Sequence, residues 1–466
     1  MRTLSPLLLV SLIIVCVTAC DRVGTPRKPT RRAESPTRHA GISPASKRSE
    51  KQAVDAIRSG RAPERVERDL ARIVKRVDGL NGHLEFDHKG HLTGVDLAGD
   101  RLYRVLPTAQ DVDLLLALPH LVKLRLYGDA ITNDVARRVG EFRQLADLTL
   151  HATAIDDDGI AHLEKLGALR RLDLSGNVHL TDLALVRLEV CPNIEYLALR
   201  DGAYTGKGIV AIQKLSELRA LDLRGCVQIG ATSLAGLVAS PRLASLKVGG
   251  AQIDDLGLKP IGRITSLTDL TIEDAGITDT GLAALHALDL ASLSLARCFG
   301  ITDEGLAELA AFSHLQRLAL RDLAITGPGL AVLSRFPDLR QLGLNETMID
   351  DEAMIFIQPK TSLERLELRQ TQITDASAKA IVQLKALRYL DVQDTGLTDG
   401  AGEMLANSLT ALTTLVLASN AGITDRSVPP LCRLSHLILL DVRQTGISAD
   451  GARQLTERQK GCHVLY

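Results

Sequence analysis

Leu290-Ala291-Ser292-Leu293-Ser294-Leu295, followed by Ile301-Thr302-Asp303-Glu304-Gly305-Leu306, is the stretch whose reading decides the fold. The pattern L-x-x-L-x-L then I-T-D-x-G-L recurs fourteen times, with first residues at Leu121, Leu145, Leu169, Ile194, Leu218, Leu243, Leu267, Leu290, Leu315, Leu339, Leu363, Leu387, Leu412 and Leu437. A fixed period of this length marks a solenoid, in which each unit buries its apolar face only by stacking on its neighbours. Within L-x-x-L-x-L the fourth and sixth residues share one face of a short strand, because strand side chains alternate. Those leucines point inward, and the third, fifth and seventh residues face out. Stacked side by side, the strands form a parallel sheet with about 4.8 Å between neighbours.

The rest of each unit reads as a return path. Three residues after the sixth position stands a small polar residue: Thr153, Asn177, Cys226, Cys298, Thr347, Thr371, Thr395, Asn420 or Thr445. There the chain leaves the strand, and buried backbone groups need partners that Asn, Thr and Cys side chains can supply from unit to unit. The Thr-Asp step then opens a short helix, with Thr302 as N-cap and Asp303 in the first turn, where the helix dipole favours an anion. Pro119, Pro192, Pro241 and Pro337 precede new strands and stop the helix before them. Pro260, Pro328 and Pro429-Pro430 lie inside helical segments and predict 3₁₀ or irregular turns there.

These residues resemble the leucine-rich-repeat superfamily from Leu121 to about 460, and more weakly from Leu92. The I-T-D-x-G-L segment and the Cys/Asn positions resemble its cysteine-containing subclass, known from F-box ubiquitin-ligase adaptors, although Thr outnumbers Cys here and no F-box is present. The resemblance implies an α/β solenoid: a curved horseshoe with a parallel β-sheet on the concave face and short α or 3₁₀ helices on the convex face. It also implies a protein-recognition scaffold working through that concave face.

The first fifty residues follow other rules. Arg2 precedes an apolar run from Leu7 to Val17, too short to span a bilayer but suited to a signal peptide. Val17-Thr18-Ala19-Cys20 resembles the lipobox of bacterial lipoproteins, which makes 1–19 a leader and Cys20 the lipidated N-terminus. Asp21 resembles the inner-membrane retention residue of enterobacterial lipoproteins. Residues 20–50 are rich in Pro, Arg and Lys with few aliphatics, and read as a basic disordered tether beside the membrane. Residues 51–120 read as an N-terminal cap of helices plus a hairpin (His83–Asp87 and Leu92–Leu97), and 121–466 as the repeat domain with a closing strand at Val464 and Tyr466.

Composition narrows the functions. With 55 basic and 56 acidic residues, the chain lacks the polycationic character of a nucleic-acid binder. No catalytic set, phosphate loop or zinc motif has its required context, so neither an enzyme nor a cofactor is expected. Cys226 and Cys298 lie three repeats apart, about 15 Å by strand spacing, too far for a disulfide. The helix-start aspartates do not converge as calcium needs. His83, Glu85, Asp87, His88 and His91 form the one dense group of metal-ligand types, more simply read as an exposed hairpin.

Two arginine patches stand out on the concave columns: Arg171, Tyr196, Arg200 and Arg224, then Arg317, Arg321, Arg365 and Arg369 with Tyr389. Arg and Tyr are enriched at binding hot spots. Carboxylates nearby also allow these arginines to be surface ion pairs worth about 0–1 kcal/mol each. The expectation is a monomeric, membrane-tethered scaffold that binds another protein, with two alternatives: a structural envelope spacer without one dominant site, and a substrate-recognition module of the F-box adaptor type.

Overall fold

The computed structural model describes residues 64–80, 82–97 and 107–466. The leader, Cys20, Asp21 and the tether expected from the sequence lie outside the described residues. The first described element is α1 (Glu64–Gly79), whose Ile73 and Val77 are buried. It packs on the hairpin β1 (His83–Phe86) and β2 (Leu92–Leu97), which pair antiparallel with Leu84 opposite Val95. A short helix α2 (Ala109–Leu115) follows. Its Asp111 accepts from the Thr108 N–H at 2.7 Å and from Arg76 Nε of α1 at 2.7 Å, which ties the cap helix to the first turn of the coil.

From β2 onward every pairing is parallel and in register. Leu124 of β3 (Lys123–Tyr127) lies beside Val95 of β2, and the series runs unit by unit to β16 (Leu439–Asp441) and β17 (His463–Leu465). The fold is a leucine-rich-repeat solenoid: one sheet lines its concave side, and short helices return along the convex side. The fourth and sixth positions are almost wholly buried, as with Leu293 and Leu295. A buried leucine contributes about 1.5–3 kcal/mol, and here it does so only because neighbouring units cover both sides of it. In the closing strand Val464 pairs beside Leu440, whereas Tyr466 is 71% exposed and does not join the core.

Every one of the fourteen units turns out of its strand through the same backbone conformation. The eighth residue has positive φ throughout: glycine at 128, 176, 225 and 250, and non-glycine elsewhere, from Ala152 (φ 49°) to Gln444 (φ 56°). Such a residue costs about 1–2 kcal/mol relative to ordinary backbone, so the turn persists because the residues around it hold it.

The ninth position is one of those supports. Asn177 Oδ1 accepts from Thr153 N and Oγ1, while its Nδ2 donates to the Leu150 and Leu174 carbonyls. Asn420 repeats this arrangement with Thr395, Val392 and Leu417. Cys226 Sγ lies 3.1 Å from the Leu199 carbonyl of the preceding unit. The threonines differ from expectation: Thr347 and Thr371 donate to the sixth-position carbonyl of their own unit and do not reach the next. Thr153 and Thr395 cross to the next unit only because the longer Asn177 and Asn420 side chains there reach back to them.

The helix-start aspartates do more than face a dipole. Asp279 accepts from both the backbone N–H (2.8 Å) and the hydroxyl (2.7 Å) of Thr302, the N-cap of the following unit. The same pair of hydrogen bonds joins Asp157 to Thr181, Asp182 to Thr205, Asp255 to Thr278, Asp375 to Thr398 and Asp399 to Thr424. Each Asp-Thr contact therefore locks one unit to the next. The glycine of I-T-D-x-G-L is a consequence, since a Cβ on Gly305 would stand 2.0 Å from Asp279 Oδ1. Where serine occupies that place, Ser427 Oγ donates to Asp399 instead.

Pro328 lies in a 3₁₀ helix (Gly327–Arg335), but Pro260 sits within an α-helix (Asp255–Ile261) and Pro429-Pro430 in another (Val428–Leu431). Pro260 is near its helix end, and Pro429 and Pro430 fall in a first turn, where the lost N–H has little helical bonding to forfeit.

Candidate functional site

The solenoid places the third, fifth and seventh residue of each strand on the concave face in three columns, one step per unit. The nine sequence-predicted Arg and Tyr positions all fall on these columns, and their surroundings separate them sharply.

In the later patch the guanidinium groups are engaged with carboxylates. Arg321 and Arg369 converge on Glu346 Oε1, at 3.0 and 2.5 Å. Arg365 pairs with Glu367 in its own strand, and its Cζ lies 3.4 Å from the centre of the Tyr389 ring. Arg317 reaches Asp269, two units back, at 3.4 Å. Arg224 of the earlier patch belongs with this group. It donates from Nε and a terminal nitrogen to Asp222 (2.9 and 2.7 Å) and from the other to Glu273 (2.9 Å), and these hydrogen bonds raise its pKa. Asp222 is nearly wholly buried, so Arg224 neutralises a carboxylate that would otherwise be stranded.

The remaining members of the earlier patch are different. Arg171 Nε stands 3.7 Å from Asp147, beyond hydrogen-bond range, and its Cζ lies 4.1 Å from the centre of the Tyr196 ring. Such a stacked cation contributes about 0.5–1 kcal/mol at an exposed site. Arg200 is exposed and makes no ion pair or side-chain hydrogen bond among the described residues. Burial raises the Tyr196 phenol above its ordinary value, with Asp222 and Asp173 adding to the effect.

Arg171 and Tyr196 also wall a hollow of about 240 Å³ on the concave face. Its other walls are Arg125, Tyr127, Asp147 and Asp173, and buried Thr149 lies on the floor. Arg125 was not singled out by sequence, since one arginine in the fifth column carries no signature there. Its terminal nitrogen is 3.6 Å from Asp96, and its Nε is buried without a hydrogen-bond partner among the described residues. Asp96 Oδ1, on the strand before that of Arg125, and Ser175 Oγ, two residues after Asp173 in the same unit, are likewise buried without partners among the described residues. Burial pushes the Asp96 pKa up, against the pull of Arg125. The Tyr127 ring packs against His151 at a tilt of 53°, with centroids 5.6 Å apart.

The hairpin residues do not assemble into a metal site. Asp87 leaves the strand and caps the turn, accepting from Lys89 N (2.8 Å), His91 N and His91 Nδ1 (2.9 Å each), and its pKa falls to about 2 chiefly through the His91 side-chain bond. Glu85 pairs with Lys123 at 2.5 Å. No group of three or more His, Cys, Asp or Glu able to hold a metal occurs among the described residues. Cys191, Cys226 and Cys298 are buried and unbridged, and burial pushes Cys191 and Cys226 up to about 11. No described helix is long and apolar enough to cross a membrane.

A leucine-rich-repeat family model matches residues 360–382. Among solved structures, the Rad7–Elc1 complex of yeast is 18% identical, covers 73% of this chain and 88% of its own, and superposes with a TM-score of 0.51. An internalin of Listeria monocytogenes is 21% identical over 70% of this chain and 82% of its own, with a TM-score of 0.41. A leucine-rich-repeat protein of Leptospira interrogans is 18% identical over 76% of this chain and 86% of its own, with a TM-score of 0.38. At such identities the likeness concerns the fold alone. No curated protein sequence matches the chain significantly.

Proposed function

We propose that this leucine-rich-repeat chain is a non-catalytic recognition scaffold that binds a partner protein through its concave face, centred on the hollow between Arg125 and Tyr196. The observation that carries this reading is the contrast in arginine pairing. Arg224, Arg321, Arg365 and Arg369 are held by carboxylates of the chain itself, whereas Arg125 and Arg171 are paired only loosely, at 3.6 and 3.7 Å, and Arg200 has no ion pair or side-chain hydrogen bond among the described residues. Donors of this kind, beside Tyr faces, have the composition of a hot spot. The scaffold is exported and tethered to a bacterial membrane by lipid on Cys20, which rests on the Val17-Thr18-Ala19-Cys20 motif and the basic stretch after it.

A photo-crosslinking residue at Thr149 in membrane-extracted protein tests the binding face, with one at Leu183 on the convex side as control. The expected result is a discrete adduct from position 149 that Arg171→Glu with Arg200→Glu abolishes, and none from 183. A structural spacer would give no adduct at 149, or one indifferent to the charge reversals. Acyl mass on the peptide starting at Cys20, and release of Cys20→Ala from membranes, test the anchor. An unmodified, soluble wild type would overturn it.

A further inference from the structure

We infer that the concave hollow over Thr149 recognises an uncharged carboxamide, the side chain of an asparagine or glutamine in an extended segment of the partner, and not an ionised side chain. This inference rests on the proposed concave-face binding and specifies its chemistry.

The hollow is balanced in charge. Arg125 and Arg171 face Asp147 and Asp173 across it. A carboxylate entering there approaches two carboxylates, an ammonium approaches two guanidinium groups, and either must shed its hydration first. What the walls offer is hydrogen bonding of both senses. The Arg125 side chain is 38% exposed and its terminal nitrogen stands 3.6 Å from Asp96, so a group in the hollow can reach the terminal nitrogens though not the buried Nε. Arg171 and Asp147, at 3.7 Å, are near enough to attract but too far apart to satisfy one another. Asp173 is partly engaged, accepting from Ser175 N at 2.9 Å.

A carboxamide presents one acceptor oxygen and two donor hydrogens on a single planar group. Its oxygen answers the arginine donors and its N–H groups answer Asp147, with no net charge to desolvate. The Tyr127 and Tyr196 rings bound the hollow with flat apolar faces at small cost in side-chain freedom. A volume of about 240 Å³ exceeds one carboxamide and admits the adjoining backbone as well, since it corresponds to roughly eight waters at about 30 Å³ each. The second concave groove shows the contrast: its small floor residues Ser294, Ala319 and Gly343 lie between Arg317 and Arg365, whose guanidinium groups already meet Asp269 and Glu367.

The test uses the full chain and blocked pentapeptides, acetyl-Gly-Gly-X-Gly-Gly-amide with X as Gln, Glu or Lys, titrated by ligand-observed saturation-transfer NMR. The expected result is a Gln peptide binding about tenfold more tightly than its Glu and Lys counterparts, corresponding to about 1.4 kcal/mol. Thr149→Trp, which fills the hollow, is expected to abolish binding, and Thr271→Trp, five units further along the same column, to leave it unchanged. Arg171→Gln supplies a second variant at an exposed side chain, with an expected loss of at least threefold for the Gln peptide. Equal or tighter binding of the Glu or Lys peptide overturns the inference, as does Gln-peptide binding that survives Thr149→Trp. A partner crosslinked at position 149 together with no Gln preference removes the amide inference while the concave reading stands. Absence of that crosslink removes the reading itself.

Discussion

Adding one methyl group to Gly305 tests whether the aspartates of the convex edge hold the units together. A Cβ there would lie 2.0 Å from Asp279 Oδ1 and 2.7 Å from its Cγ, so the carboxylate must swing away. In leaving, it gives up the Thr302 N–H at 2.8 Å and the Thr302 hydroxyl at 2.7 Å. Hydrogen bonds to a charged group contribute about 1.5–3 kcal/mol when well shielded, and these are part-exposed, which brings each to about 1–1.5 kcal/mol. Against that loss of about 2–3 kcal/mol, alanine is favoured over glycine inside a helix by up to about 1 kcal/mol. Gly305→Ala alone therefore destabilises by about 1–2 kcal/mol, and Asp279→Ala by about 2–3 kcal/mol. With the carboxylate gone, the methyl group has only the tighter contact with the Asp279 backbone, and the double variant is expected to match or slightly exceed Asp279→Ala in stability. The coupling energy is then about 2 kcal/mol, far above the few tenths typical of independent sites. Solenoid unfolding is collective and need not be two-state, so the cycle is measured both by urea midpoint and by native-state hydrogen exchange at the Thr302 amide. Additive effects of the two substitutions would refute the interlocking of Gly305 and Asp279.

Three further outcomes follow from the same geometry. Ala152 is exposed with φ of 49°, so Ala152→Gly is expected to raise stability by about 0.5 kcal/mol, relief of left-handed strain outweighing added unfolded-state entropy, while Gly176→Ala (φ 72°) lowers it by about 1 kcal/mol; equal signs in urea denaturation would contradict the shared turn. The Tyr204 hydroxyl is buried without a partner among the described residues, and Gly202 leaves the room for its ring, so Tyr204→Phe is expected to stabilise by about 1 kcal/mol in thermal or urea unfolding, and a loss of stability would show a hidden partner. Burial pushes Asp255, Asp351 and Asp399 upward, but bonds from Thr278, from Ser377 and Thr374, and from Ser427 and Thr424 outweigh it and hold all three below their ordinary 3.8. Their contribution is complete above that value and is lost as pH falls through the lower folded values, whereas Asp96 and Asp391, raised by burial, favour the fold on protonation. The urea midpoint should fall between pH 4 and 2.5, less so in Asp351→Asn, and a midpoint that rises over that range would refute the assignment.

What could be read from the sequence was whatever depends on one residue type in one place. The leucines of the fourth and sixth positions are apolar in every unit because nothing else fills the core, and the unit spacing followed. The left-handed eighth position left no such trace. Asp201, Arg297, Glu346, Gln370 and Ser419 all occupy it, since a turn imposed by its neighbours on both sides tolerates any side chain that points to solvent. The Asp-Thr locks were half legible. Asp303 carries the right charge for a helix start, but its partner Thr326 lies 23 residues away in another unit, a relation that only stacking creates. The arginine columns were legible as columns and not as chemistry, because Arg224 and Arg200 share a column and differ only in whether Asp222 and Glu273 stand within reach.

That difference gives the scaffold its polarity. Each Asp-Thr lock fixes the angle between successive units, so the columns of the concave face keep their spacing without help from a ligand, and side chains on them are held before any partner arrives. An arginine whose carboxylate lies in the same or a nearby unit then completes the surface of the free protein, and a partner that displaced it would have to break a formed pair. An arginine such as Arg200, exposed and without an ion pair among the described residues, imposes no such loss, and a partner's acceptor there adds a bond that the free protein lacks. If the concave face binds as proposed, its preference follows the pairing state of each column position and not the number of arginines. By that criterion the face above Thr149 outranks the more arginine-rich face around Glu346.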